Sequence, residues 1–170
     1  MKKMDRMPEP INKSDGVHLL SEMTQGHCAY CDSGNIGAAS QKTVDHFLPK
    51  SVFPELENEW GNLFLCCNVC QRAKWDKPAR DEERKPLKPD ATDYDFPKYF
   101  LNNFLTGEIE INTGAGEFDQ ERAEYTIQWL GFNIVERKKS RLLERKKYRD
   151  LIKKKYELND FSYRFFVEGI

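Results

Sequence analysis

Hydrophobic residues occur in short groups, and their spacing divides the chain into elements. His18, Leu19, Leu20 and Met23 follow a helical period that Gly26 stops, with Ser14 and Asp15 placed as caps. Thr43-Val44-Asp45-His46-Phe47 reads as a short strand closed by Pro49, and Asn62-Leu63-Phe64-Leu65 as a second. The stretch from Cys67 to Lys74 is compatible with a helix, which gives a ββα unit. Residues 76–97 mix Asp, Glu, Lys and Pro without an apolar period, the pattern of a charged surface connector. Gly107 to Ile111 alternates like a half-buried strand. A helix capped by Asp119 carries Ala123, Ile127 and Leu130 on one stripe and ends at Gly131. Asn133 and Glu136 form a capping pair for another helix, with Tyr148, Leu151, Ile152 and Tyr156 beneath a basic face, and the two helices are placed to form a hairpin.

The expected class is α+β. With 170 residues the chain can bury one core, so a single domain over 1–170 is expected: a ββα core at 15–78, a charged connector and short strand at 79–118, and a helical region at 119–170. A 32% charged and 39% hydrophobic composition excludes a membrane protein. The opening MKKMDRMPEP has no apolar stretch of the secretory kind, so the reading is cytoplasmic, where paired cysteines point to metal rather than disulfides. Net charge is only −1, yet residues 136–155 hold eleven Lys or Arg against three acids, about +8 against about −9 elsewhere. By base rate such a run is a solvated helix face. The sharper readings are a contact to nucleic acid or to an acidic partner surface.

Candidate chemistry gathers in one segment. Cys28/Cys31 and Cys67/Cys70 are two Cys-x-x-Cys pairs, each able to give two thiolates to a tetrahedral zinc from one tight turn. Cys66 is left over, and a slipped register would exchange it with Cys67. Between the pairs lie Asp45-His46 and Asn62. Histidine is the side chain suited to taking a proton from water near neutral pH, which makes His46 the candidate base, and the Asp45 oxygens suit Mg²⁺ or Mn²⁺. The Asn62 amide is placed to orient the His46 ring. Adjacent strand residues point to opposite faces, so Asp45 and His46 can share a site only where the strand bends or ends, as Pro49 allows.

The run CAYC, then VDHFLPKS, then EWGNLFLCCNVCQRAK resembles the HNH endonuclease family with its ββα-metal fold. The resemblance implies structural zinc at Cys28, Cys31, Cys67 and Cys70, a catalytic divalent cation on Asp45, the general base at His46 and a supporting Asn62. Family members often carry Asn or His after the last cysteine as second metal ligand, and Gln71 stands there. Arg72 and Lys74 on the same helix are then phosphate contacts. DHFLPKSVFPELENEWGNLFLCCNVC, with the later GEIEI and ERAEYTIQWLGFN, is similar to the HNH nucleases of Septu-type and retron-associated anti-phage defence systems. That likeness implies a DNA or RNA substrate and an SMC- or ABC-like ATPase partner. The rival expectation is a zinc adaptor without catalysis, its cleavage lost through Gln71. His18 and His27 have no such company and suit helix-face or turn roles. Trp60, Trp75 and Trp129 read as core.

Overall fold

The computed structural model describes residues 1–9, 16–34, 36, 41–74, 86–151 and 156–169. Helix α1 (Gly16–Met23) leads to the first cysteine pair, and Gly26, at φ +74°, turns the chain after it. The expected caps Ser14 and Asp15 lie outside the described residues. Strands β1 (Lys42–His46) and β2 (Leu63–Cys67) form an antiparallel pair in which Asp45 faces Phe64 and His46 faces Leu63. Helix α2 (Asn68–Lys74) follows at once, completing the ββα unit. Asn62 ends a 3₁₀ turn (Trp60–Asn62) ahead of β2 instead of opening the strand.

The second half departs from the sequence reading in several places. Among residues 86–97, Leu87, Tyr94 and Phe96 are buried core rather than surface connector. Irregular chain carries them inward at uneven spacing, so no period marks them. Next come α3 (Phe96–Tyr99) and β3 (Phe100–Asn102), and β3 pairs antiparallel with β4 (Ile109–Ile111), the strand legible from its alternation. At three residues, β3 is too short to show one of its own.

Helix α4 spans Glu117–Trp129, with Gly116 at its N-cap and Asp119 inside the first turn. It buries Ala123, Thr126 and Trp129, while Ile127 is only partly covered. Gly131, at φ +59°, turns the chain into α5 (Val135–Leu151). Asn133 does not cap α5: its amide accepts from Ile109 N at 2.9 Å and donates to Ile109 O at 2.8 Å, pinning β4. Nor is the basic run simply a solvated face. Arg137 and Arg141, four apart, lie on the buried side of α5, and Arg145 continues the row. Arg141 donates to the Gly107 and Phe132 carbonyls, while Arg145 donates to Phe166 and Val167. Of the apolar residues expected beneath the helix, Tyr148 meets Phe161 edge-on at 5.2 Å, and Ile152 lies outside the described residues.

Helix α6 (Arg164–Val167) packs on α5 and returns the chain to the first cysteine pair. Trp60 and Trp129 are buried as expected, and Trp75 is not among the described residues.

Candidate metal centre and active-site cleft

The four sulfur atoms of Cys28, Cys31, Cys67 and Cys70 lie within 4.8 Å of one another, all buried. A tetrahedron with zinc–sulfur bonds of about 2.3 Å has edges of about 3.8 Å. The Cys31–Cys67 Sγ separation is 3.8 Å, so the donor set fits zinc in geometry and in softness. Strand alternation settles the spare thiol: Cys67 joins the cluster, while Cys66 donates to the Cys67 carbonyl at 3.1 Å and burial pushes its pKa up. The first turn is drawn tight by Asp32 N to Cys28 O and Cys28 N to Ser33 O, each 2.9 Å, with Asp32 at φ 58°.

A guanidinium borders the sulfurs. Arg137 Nη2 donates to Cys70 Sγ at 2.9 Å and lies 4.0 Å from Cys67 Sγ. Burial alone would lower its pKa, but the surrounding sulfurs, Cys70 first, outweigh burial and raise it.

An open cleft of about 380 Å³ is lined by Val44, Asp45, His46, Pro49, Lys50, Ser51, Gln71 and Lys74. Asp45 and His46 share it because β1 ends at His46, the arrangement that Pro49 suggested. His46 Nε2 is 2.9 Å from the Glu57 carbonyl oxygen. A carbonyl only accepts, so in the neutral ring Nε2 carries the hydrogen and Nδ1 is the basic nitrogen. Glu57 is itself fixed by a 2.7 Å bond from Lys50, which holds its carboxyl below the usual range.

Asp45 is buried and receives two hydrogen bonds, both on Oδ2. One comes from Tyr30 Oη at 2.6 Å, the other from Lys74 Nζ. Burial, then the Asp45 charge, pushes the Tyr30 phenol well above its ordinary pKa, which keeps it a donor. Lys74 Nζ also donates to His46 O at 2.6 Å and lies 4.9 Å from the centre of the Trp129 ring.

Two site expectations change in this geometry. Lys74, expected on a phosphate, is turned inward onto Asp45. Cys70 fixes the buried face of α2, and the residue four later shares it. Arg72 remains exposed, and Gln71, partly buried, reaches the cleft. Asn62 does not touch the imidazole: its Oδ1 accepts from Leu48 N at 2.8 Å, and Nδ2 donates to Leu48 O at 3.0 Å and Leu56 O at 3.1 Å. The amide clamps the loop that ends in Glu57, so it acts on His46 only through that loop. Tyr30 and Arg137 were not singled out in the sequence. Nothing in the type or spacing of Tyr30 marks it, whereas the 137/141/145 row was a readable sign. His27 is a buried turn residue with ring nitrogens on Gln25 O and Phe161 O, and His18 is exposed beside Glu22.

The segment holding both cysteine pairs and the cleft matches the family model "HNH endonuclease", residues 28–77. Residues 28–77 are an HNH endonuclease domain. Curated relatives of the chain include two Septu PtuB proteins. That of Bacillus thuringiensis is 32% identical over 68 residues, covering 40% of this chain and 25% of the relative. That of Bacillus mycoides (strain KBAB4) is 25% identical over 148 residues, covering 72% of this chain and 50% of the relative. The chain thus spans half or less of the length of these relatives. The HNH domain contains β1, β2, α2 and every cleft residue named above. Among the described residues no helix is long and apolar enough to cross a membrane.

Proposed function

We propose that the chain is a metal-dependent HNH endonuclease that hydrolyses phosphodiester bonds in DNA or RNA, acting in the cytoplasm in anti-phage defence. The observation that carries the chemistry is the meeting of Asp45, His46 and Gln71 at one cleft, with His46 Nε2 tied to a carbonyl. His46 Nδ1 takes the proton from the attacking water. Asp45 and Gln71, which both line the cleft and offer hard oxygen donors, would hold one Mg²⁺ or Mn²⁺. When bound, that cation supplies charge stabilisation at the scissile phosphate and the departing 3′ oxygen. Tyr30 and Lys74 hold the carboxylate in place, and Asn62 keeps the Glu57 carbonyl against the ring. Exposed Arg72 contacts phosphate. Zinc on the four cysteines is structural, since all four donors are sulfur and leave no open position.

The defence role leans on the Septu relatives, and an SMC- or ABC-like ATPase partner on the resemblance of the motifs. A second reading, a zinc adaptor without cleavage, draws on the neutral Gln71 and on the Lys74 cation that already occupies Asp45 Oδ2.

Purified protein given Mg²⁺ or Mn²⁺ and either nucleic acid decides between them, with and without the partner. Cleavage that falls about 10²–10⁴-fold in His46→Ala supports the enzyme. Equal cleavage by both proteins marks a contaminant, and no cleavage even with the partner favours the adaptor.

A further inference from the structure

Two arginines from the C-terminal half reach the sulfur centre, one at each cysteine pair. Arg164 forks onto Asp32, the residue after Cys31: Nη2 to Oδ1 is 2.6 Å, and its own backbone N–H meets Oδ2 at 2.6 Å. Arg137, on α5 and 67 residues from Cys70, donates to the Cys70 sulfur at 2.9 Å. Its other amino group donates to Leu130 O and, at 3.0 Å, to Gly131 O, the carbonyls that end α4. Arg137 is only 4% exposed.

A buried cation of this kind has to be matched by an anion. Among the described residues no carboxylate is a hydrogen-bond acceptor of Arg137; its anionic neighbour there is the sulfur cluster. Four thiolates around one Zn²⁺ carry a formal charge of about −2, which a buried site tolerates poorly unless a cation and N–H···S bonds share it. The planar fork serves one sulfur and two carbonyls together, which a single ammonium cannot do. If the metal leaves, Cys70 is no longer held at its corner of the tetrahedron, the sulfur that the Arg137 fork meets is no longer fixed, and α5 loses an anchor. Among the described residues Arg141, one turn on, hydrogen-bonds carbonyls and an amide oxygen rather than a sulfur, so dependence on the metal is confined to the first turns of α5.

We propose that Arg137 is the counter-ion and positioning residue of the four-cysteine centre, and that metal occupancy and docking of the first turns of α5 are one coupled event. The coupling is reciprocal: whatever loosens α5 there loosens the metal. This rests on the zinc reading above, which the metal content of the purified full-length chain tests separately. A preparation that neither holds nor takes up zinc sinks that reading and this inference with it.

In zinc-loaded protein, release of the metal to a colorimetric chelator should be about 10–100-fold faster in Arg137→Met. Release from Lys139→Met, an exposed neighbour, should match the parent. A folded Arg137→Met that releases zinc at the parental rate overturns the proposal. Should that variant not fold, the parent chain carries the test through hydrogen exchange during chelation. Amides at 135–141 should open at the rate of zinc loss while the β3–β4 pair stays protected. Protection that persists at 135–141 after the metal has gone, or simultaneous opening of the whole chain, overturns it.

Discussion

Lys74 balances the charge of Asp45 inside the protein. Both side chains are almost fully buried, at 5% and 10% exposure, so removing one partner leaves a charge with no good replacement. Lys74→Met should cost about 3–5 kcal/mol in urea denaturation, and adding Asp45→Asn should recover most of that. An unrecovered loss in the double variant would show that the stem of Lys74 and its aromatic neighbours matter more than the charge. The chemistry at this scale was legible unevenly. The cysteine spacing and the Asp45-His46 dipeptide announce themselves by residue type, because few other patterns bind soft metals or move protons. The inward turn of Lys74 follows only once Cys70 is known to face the core. The bond from Tyr30 crosses between elements and has no spacing rule behind it. The sequence marks Asn62 as a partner of the His46 ring, but its hydrogen bonds go to the main chain of Leu48 and Leu56.

At the scale of elements, the ββα unit could be read because each part is bounded by a residue with one local meaning, such as Pro49 or the cysteine pair. The α5 helix misled because lysine and arginine count alike in a charge sum, yet here the row facing inward is arginine. Its long stems cover apolar surface, and its forks satisfy carbonyls where the chain turns. The β3–β4 turn meets α5 closely. Gly107 has φ +78°, and a Cβ there would collide with the Lys138 carbonyl oxygen. Gly107→Ala should therefore lower stability by at least about 1–2 kcal/mol, read as a drop in the thermal midpoint. Gly116, with open space around it, should accept alanine far more readily.

Across the whole molecule, the core joins the HNH domain to the later helices through aromatic residues, Phe47 meeting Trp129 edge-on at 5.5 Å. Several buried phenols belong to that core. Burial holds Tyr30 and Tyr94 well above the ordinary range and pushes Tyr163 up to about 12. In the unfolded chain these groups ionise near pH 10, while the folded protein keeps their protons. The unfolded state is therefore favoured as the pH climbs: the phenol contribution is complete below about pH 10 and is lost on the way through 12. Chemical denaturation at intervals over that range should show a falling stability, and Tyr163→Phe should flatten part of the slope. An unchanged slope in that variant would remove Tyr163 as a source.

Tyr30 occupies the middle of the first cysteine turn, one residue before a sulfur donor, and its hydroxyl ends on Asp45. Zinc by itself accepts two to four residues between paired cysteines. In this chain that latitude is gone, because the turn also sets the reach of the phenol. A residue inserted after Ala29 would leave the ion a workable loop and carry the hydroxyl away from its carboxylate, so the gap between Cys28 and Cys31 is held at its length by the cleft rather than by the metal.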